Sequence, residues 1–142
     1  MLAKQISVFV ENRKGRLGEV LKVLKENNVN ILSLSLADTT EYGLLRLIVN
    51  DPTLGKEKLS ENGFSTMLTD ILVIEIEHKS GSLQGLLDLL ALNDINIEYM
   101  YGLSTNDSRA FVVLKASNMA KASEVLEQNG VKTLSSNCIV NL

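Results

Sequence analysis

Two stretches of this sequence combine residue types that can hold a small charged molecule: ENRKGRLGEV from Glu11 to Val20, and EHKSGSLQGL from Glu77 to Leu86. In each, a glycine stands just before a run of helical periodicity, where it lets the backbone turn tightly and approach a ligand closely. The first helical N–H groups, near Arg16 to Gly18, have no intrahelical acceptor and carry partial positive charge, which makes an anion site for one carboxylate. Asn12 both donates and accepts, and Asn30, at the start of the next predicted strand, does the same; together they can hold an ammonium and a carboxylate. Arg13, Lys14 and Arg16 can add charge beside the carboxylate. Each of these residues also has a plainer role, since glycine and asparagine are common in turns and caps and a basic loop is often only solvated.

Other chemistries find little support. The sequence has one histidine, His78, and one cysteine, Cys138, so one chain assembles neither a histidine-based triad nor a cysteine-rich zinc site, and no disulfide can close within it. Neither a P-loop nor a G-x-G-x-x-G fingerprint is present. Glu75 and Glu77 alternate on a predicted strand, where a solvated role is the default. A net charge of −3 without a basic block, with no tryptophan and three phenylalanines, argues against nucleic-acid binding. No apolar run reaches the ~20 residues of a membrane span, and Met1 to Lys4 has no signal core, so the expected location is cytoplasmic.

The elements that position these turns occur twice. Ile6 to Val49 aligns without a gap on Leu72 to Lys115 at a spacing of 66, bringing Gly15 onto Gly81, Leu17 onto Leu83 and Asn30 onto Asn96. With one inserted residue the match resumes, Leu59 on Leu126 and Gly63 on Gly130. Two copies of this length indicate duplication of a small domain, not an open-ended array. A segment of about 60 residues buries only roughly 60% of its unfolded surface, so the copies are expected to pack together.

Within copy one Ile6, Val8 and Val10 alternate as on a strand, and Leu17, Val20, Leu21 and Leu24 recur at helical spacing. Copy two repeats this with Leu72, Ile74 and Ile76, then Leu83, Leu86, Leu87 and Leu90. Two strands follow in each, about 30–37 and 42–50, then 96–103 and 108–116, separated by polar turns at Asp38 to Glu41 and Ser104 to Asp107. A second helix opens at the N-cap Asp51 before Pro52, and at Ser117 in copy two. The expected fold class is α+β: two ferredoxin-like βαββαβ repeats, each an antiparallel four-stranded sheet with two helices on one face. The domains run 1–69 and 70–142, joined by a short linker near Thr69 and Asp70. After a last strand at Val131 to Ser135, Asn137 to Leu142 resembles the start of a third copy and predicts a short extra C-terminal strand.

Phe9, Leu32, Leu34 and Leu36, with Leu45 and Leu47 on the next strand, are apolar at both strand parities. They are either ordinary core or a chain-to-chain interface, the second making a homodimer.

The turn pattern E-N-R-x-G-x-L, carried by Glu11, Asn12, Arg13, Gly15 and Leu17, is followed after the helix by Val29, Asn30 and Ile31. With the order of elements, it resembles the ACT domain, the amino-acid-binding regulatory module of many biosynthetic enzymes, over nearly the whole chain. The turn is most similar to the serine-responsive kind on phosphoglycerate dehydrogenases. It departs from that pattern at Lys14, where the family usually has proline, and copy two has His78 in place of asparagine and Ser80 before Gly81.

The resemblance implies a non-catalytic sensor that needs no cofactor and holds a free amino acid at the interface between the repeats. One site then joins Asn12, Arg13, Lys14, Gly15, Arg16 and Leu17 to Asn96 and Ile97. Its pseudo-symmetric partner joins His78, Gly81, Ser82 and Leu83 to Asn30 and Ile31, and Tyr99 and Tyr101 wall a side-chain pocket. The competing readings are a protein-interaction or assembly module without its own ligand, and a regulatory subunit of a separately encoded partner enzyme.

Overall fold

A computed structural model describes residues 1–38, 41–103 and 109–140. Along the chain lie β1 (Ala3–Glu11), α1 (Arg16–Glu26), β2 (Ile31–Asp38), β3 (Tyr42–Val49), α2 (Pro52–Glu61), β4 (Ser65–Glu77), α3 (Ser82–Leu92), β5 (Ile97–Gly102), β6 (Arg109–Ala116), α4 (Met119–Gln128), β7 (Thr133–Leu134) and α5 (Ser136–Val140). The order strand, helix, strand, strand, helix, strand therefore occurs twice, as the ferredoxin-like reading requires. Residues 39 and 40 of the expected polar turn 38–41, and all of 104–107, lie outside the described residues.

The chain divides into two compact units, Lys4–Thr69 and Asp70 onward, the latter including Met1–Ala3. In the first unit β3 pairs antiparallel with both β1 and β2, setting Ile6 opposite Leu47 and Val8 opposite Leu45. Alternation then places Ile6, Val8, Leu45 and Leu47 on one sheet face, where α1 adds Val20, Val23 and Leu24 and α2 adds Leu59 to a shared core. Leu45 and Leu47 are thus wholly buried, whereas Phe9, Leu34 and Leu36 are about half exposed (47%, 49% and 48%). The helical stripe differs by one position from the periodicity reading: Val23 faces the core and Leu21 faces out.

In the second unit β6 pairs antiparallel with β4 and β5, and β7 pairs with β4 on its other side. Leu72, Ile74 and Leu114 meet Leu86 and Leu90 of α3 and Ala122, Val125 and Leu126 of α4. Leu83 faces out, as Leu21 does in the first unit.

Three sequence expectations are corrected. Thr69 and Asp70 are not a loop but lie inside β4, which runs 13 residues without a break; the apolar run from Ile71 to Ile74 favours continuous extension. The second helix of copy two is capped by Asn118, not Ser117: the Asn118 side chain accepts from the Lys121 N–H at 3.0 Å. The described part of the C-terminal tail forms α5 and not an extra strand. Ser135 caps that turn, its carbonyl accepting from the N–H groups of Cys138 and Ile139 (3.1 Å each), and Ile139 is buried. Just before it, β7 pairs with β4.

Candidate functional site

The first turn is built almost entirely from backbone. The Asn12 N–H donates to the Glu41 carbonyl (3.0 Å), the Arg13 N–H to Glu11 (2.8 Å) and the Arg16 N–H to Arg13 (3.3 Å), winding the chain from β1 into α1. Gly15 is the N-cap at φ +84°, in the left-handed region, and makes no side-chain cap. Nothing lies within 4 Å of where its Cβ would be, so conformation alone calls for glycine there. Among the described residues the N–H groups of Leu17 and Gly18 have no acceptor, leaving two donors at the positive end of α1. Beside them is a cavity of about 110 Å³ whose walls include Asn12, Arg13, Leu17, Leu36 and Gly43.

The three basic residues of this turn behave differently. Arg13 pairs with Glu11 at 3.1 Å on the open surface. Arg16 lays its guanidinium over the Phe64 ring, 3.9 Å from the centroid, and bonds Glu19 at 2.6 Å; its buried Nε has no partner among the described residues. The Arg16 side chain is therefore committed to packing, and only its backbone belongs to the turn. Lys14 makes no ion pair with a described residue.

The second turn repeats the winding. Lys79 N–H donates to Glu77 (3.0 Å), Ser82 N–H to Lys79 (3.3 Å), and Gly81 caps α3 at φ +88°. His78 is exposed. Lys79 bonds Glu77 at 2.7 Å; this hydrogen bond, and then the charge behind it, lowers the Glu77 carboxyl below its ordinary range and raises the Lys79 ammonium. A groove of about 480 Å³ opens beside this turn, between α3, β4 and the segment after α4.

Asn30 and Asn96 lie elsewhere. The Asn30 N–H donates to Asn50 Oδ1 (2.9 Å) and its carbonyl accepts from the Asn50 N–H (3.0 Å), while the Asn96 carbonyl accepts from Ser117 (2.9 Å). Both thus tie the start of one strand to the end of the next. Ile31 and Ile97, beside them, are partly buried against the two cores. Register fixes the distance within a repeat: Glu11 is opposite Tyr42, whereas Ile31 is opposite Val49, the other end of β3. At about 3.4 Å per residue the two ends are roughly 24 Å apart, so Asn12 and Asn30 of one repeat cannot grip the same amino acid. Tyr99 and Tyr101 are half-buried on β5 and line neither of the two cavities.

Glu75 was legible only as a solvated strand residue, yet its side chain is 16% exposed and is held by Arg109 (2.8 Å) and Lys132 (3.9 Å). Pairing β4 with β6 would have revealed it, because Glu77 opposite Arg109 puts Glu75 one diagonal step away. Among the described residues no three His, Cys, Asp or Glu side chains gather to hold a metal ion, and no helix is long and apolar enough to cross a membrane.

The model of the ACT domain pair family matches residues 1–142. The fold is similar to that of protein BT0572 from Bacteroides thetaiotaomicron, with 39% identity, a TM-score of 0.94, and coverage of 100% of this chain and 98% of that one. The regulatory subunit of aspartate kinase from Thermus thermophilus, in its ligand-free form, is 18% identical at a TM-score of 0.62 over 90% of this chain and 96% of that one. The corresponding subunit from Thermus flavus gives 18% and 0.59, over 90% of this chain and 94% of its own. No curated protein matches the sequence.

Proposed function

Because the chain belongs to the family of ACT domain pairs, we propose that it is a non-catalytic regulatory protein that binds a small free amino acid at the turn between first strand and first helix. The observation that carries this reading is the turn itself. Gly15 in the left-handed region leaves the Leu17 and Gly18 N–H groups without acceptors, next to the Asn12 amide and a cavity of about 110 Å³. Two N–H donors at a helix start suit a carboxylate, an asparagine amide suits an ammonium, and the small cavity suits a short side chain. The similarity of the turn to the serine-responsive kind makes serine the first ligand to try.

A ligand that also meets a second-strand asparagine must take it from another repeat, since each repeat holds the two at opposite ends of its sheet. In that arrangement Asn12, Arg13, Lys14, Gly15, Arg16 and Leu17 work with Asn96 and Ile97, and His78, Gly81, Ser82 and Leu83 with Asn30 and Ile31. Arg16, whose N–H donates to the Arg13 carbonyl, then contributes by placing the Leu17 and Gly18 N–H groups. We place the protein in the cytoplasm, as a homodimer whose ligand signal passes to a partner enzyme. Isothermal titration with serine and the other amino acids should give saturable binding for one, in the micromolar range expected of so few heavy atoms. Asn12→Ala should weaken it at least about tenfold. Saturable binding that survives Asn12→Ala unchanged would move the site away from this turn.

The second reading, an assembly module, is favoured by the exposure of Phe9, Leu34 and Leu36. It expects Leu34→Glu to shift a dimer to monomer in sedimentation while leaving the fold intact; Leu47, buried in the core, is unsuited to that test. An unchanged sedimentation coefficient would remove this reading.

A further inference from the structure

The cavity beside the Asn12 turn is bounded by a pair of strand residues that the second repeat exchanges. In the first repeat Val10 of β1 stands opposite Gly43 of β3, and Val8 stands opposite Leu45, which is in turn opposite Leu36 of β2. The same rows of the second repeat set Ile76 opposite Ala110, and Ile74 opposite Val112, which is in turn opposite Gly102. Register therefore puts Ala110, one place beyond the sequence spacing of 66, where the first repeat has Gly43. It puts Gly102 where the first repeat has Leu36. The glycine and the residue with a side chain have changed places.

Gly43 has no conformational reason to be glycine, because it is a buried strand residue outside the left-handed region. A Cβ there would lie 3.1 Å from Leu36 Cδ1 and 3.6 Å from the Val10 carbonyl oxygen. The missing side chain thus lets Leu36 lean across β3, and in that position Leu36 and Gly43 wall the cavity together with Val10, Leu17 and Asn12. Leu36 is about half exposed, so its end can move when that place is filled. Gly102 offers no such wall, and nothing lies within 4 Å of where its Cβ would be.

We infer that Gly43 and Leu36 select the ligand of the first turn by size, admitting an α-amino acid whose side chain has at most about two non-hydrogen atoms, such as alanine or serine. The inference rests on amino-acid binding at the Asn12 turn and names the residues that choose among amino acids there. With the carboxylate on the Leu17 and Gly18 N–H groups, the rest of the ligand has the cavity of about 110 Å³. At roughly 30 Å³ for each water-sized group this holds about three or four non-hydrogen atoms, which the ammonium nitrogen, Cα and a short side chain use up. A longer side chain has to push Leu36 off Gly43, and overfilling a packed site is unfavourable.

The test is isothermal titration of the full chain, and of Leu36→Ala and Gly43→Ala, with each of the twenty amino acids. The parent protein should bind glycine, alanine, serine or cysteine at least about tenfold more tightly than valine or leucine, the discrimination that one or two extra methyl groups bring in a closed pocket. Leu36→Ala should reduce that preference to about threefold or less by admitting valine. Gly43→Ala, whose methyl takes the place of Leu36 Cδ1, should weaken the preferred ligand at least about fivefold with the melting temperature nearly unchanged, since the group displaced is the end of a half-exposed side chain. If Gly43→Ala disturbs the fold, the preference of Leu36→Ala decides. Absence of saturable binding to every amino acid would remove the proposed function and this inference with it. Saturable binding with the same size preference in the variants, or tightest binding of valine, leucine or a longer amino acid by the parent, would overturn the inference and leave the proposed function standing.

Discussion

Arg16 illustrates how a residue can sit inside a candidate binding turn and yet serve packing. Its position at the first residue of α1, beside Arg13 and Lys14, reads as one of three cations facing a carboxylate. Its guanidinium instead covers Phe64 and reaches Glu19. Arg16→Ala should therefore cost about 1–2 kcal/mol in urea denaturation, from lost stacking and stem packing, and leave amino-acid affinity within about twofold, since the turn would keep its backbone donors. Unchanged stability with lost binding would show that the side chain serves the ligand. The sequence could not reveal this, because the partner is Phe64, brought in only when α2 packs beside α1. Gly15 was legible for the opposite reason: its left-handed conformation depends on local turn geometry, and Gly81 repeats it at the start of α3. Glu75 was misjudged because strand alternation says which residues share a face, not what the neighbouring strand brings there.

At the scale of elements, periodicity located the strands and helices well, and the differences arise where two local signals compete. Ser117 and Asn118 are both good caps, and the inserted residue in copy two moves the helix start by one place. Asn118→Ala should lower the stability of the Asp70–Val140 region by about 1 kcal/mol, while Ser117→Ala, whose contribution is a backbone N–H to Asn96, should cost less than half of that. Equal costs in thermal denaturation would put the cap at Ser117 after all. The tail shows the same competition. Asn137 to Val140 carries strand-like alternation, but Ser135 caps a helical turn there, and β7, just before it, already pairs with β4. Alternation marks a strand only where an edge is free to receive it. Likewise the apolar stripe of α1 was one position off because Leu21 and Val23 both satisfy helical spacing, and only packing on β1 and β3 decides between them.

For the molecule as a whole, duplication was the most legible feature, since it survives as matched spacing without any knowledge of contacts. The division at Thr69 and Asp70 coincides with no break in secondary structure, because β4 contributes residues to both units. Composition offered no warning of that, as a polar pair such as Thr69 and Asp70 reads equally as a linker or as two strand residues. Duplication also freed the repeats to diverge: the first keeps its asparagine turn and fills its helix–strand groove with Arg16 and Phe64, while the second replaces asparagine with His78 and leaves the groove open. The central claim is that this pair of domains senses a free amino acid through the Asn12 turn. Its most direct test is the melting temperature of the purified protein with each of the twenty amino acids at millimolar concentration, beside Asn12→Ala. A ligand at about 100 times its dissociation constant adds ~2.7 kcal/mol, or several degrees. The account predicts such a rise with one small amino acid, absent in the variant; no rise with any of the twenty would contradict it.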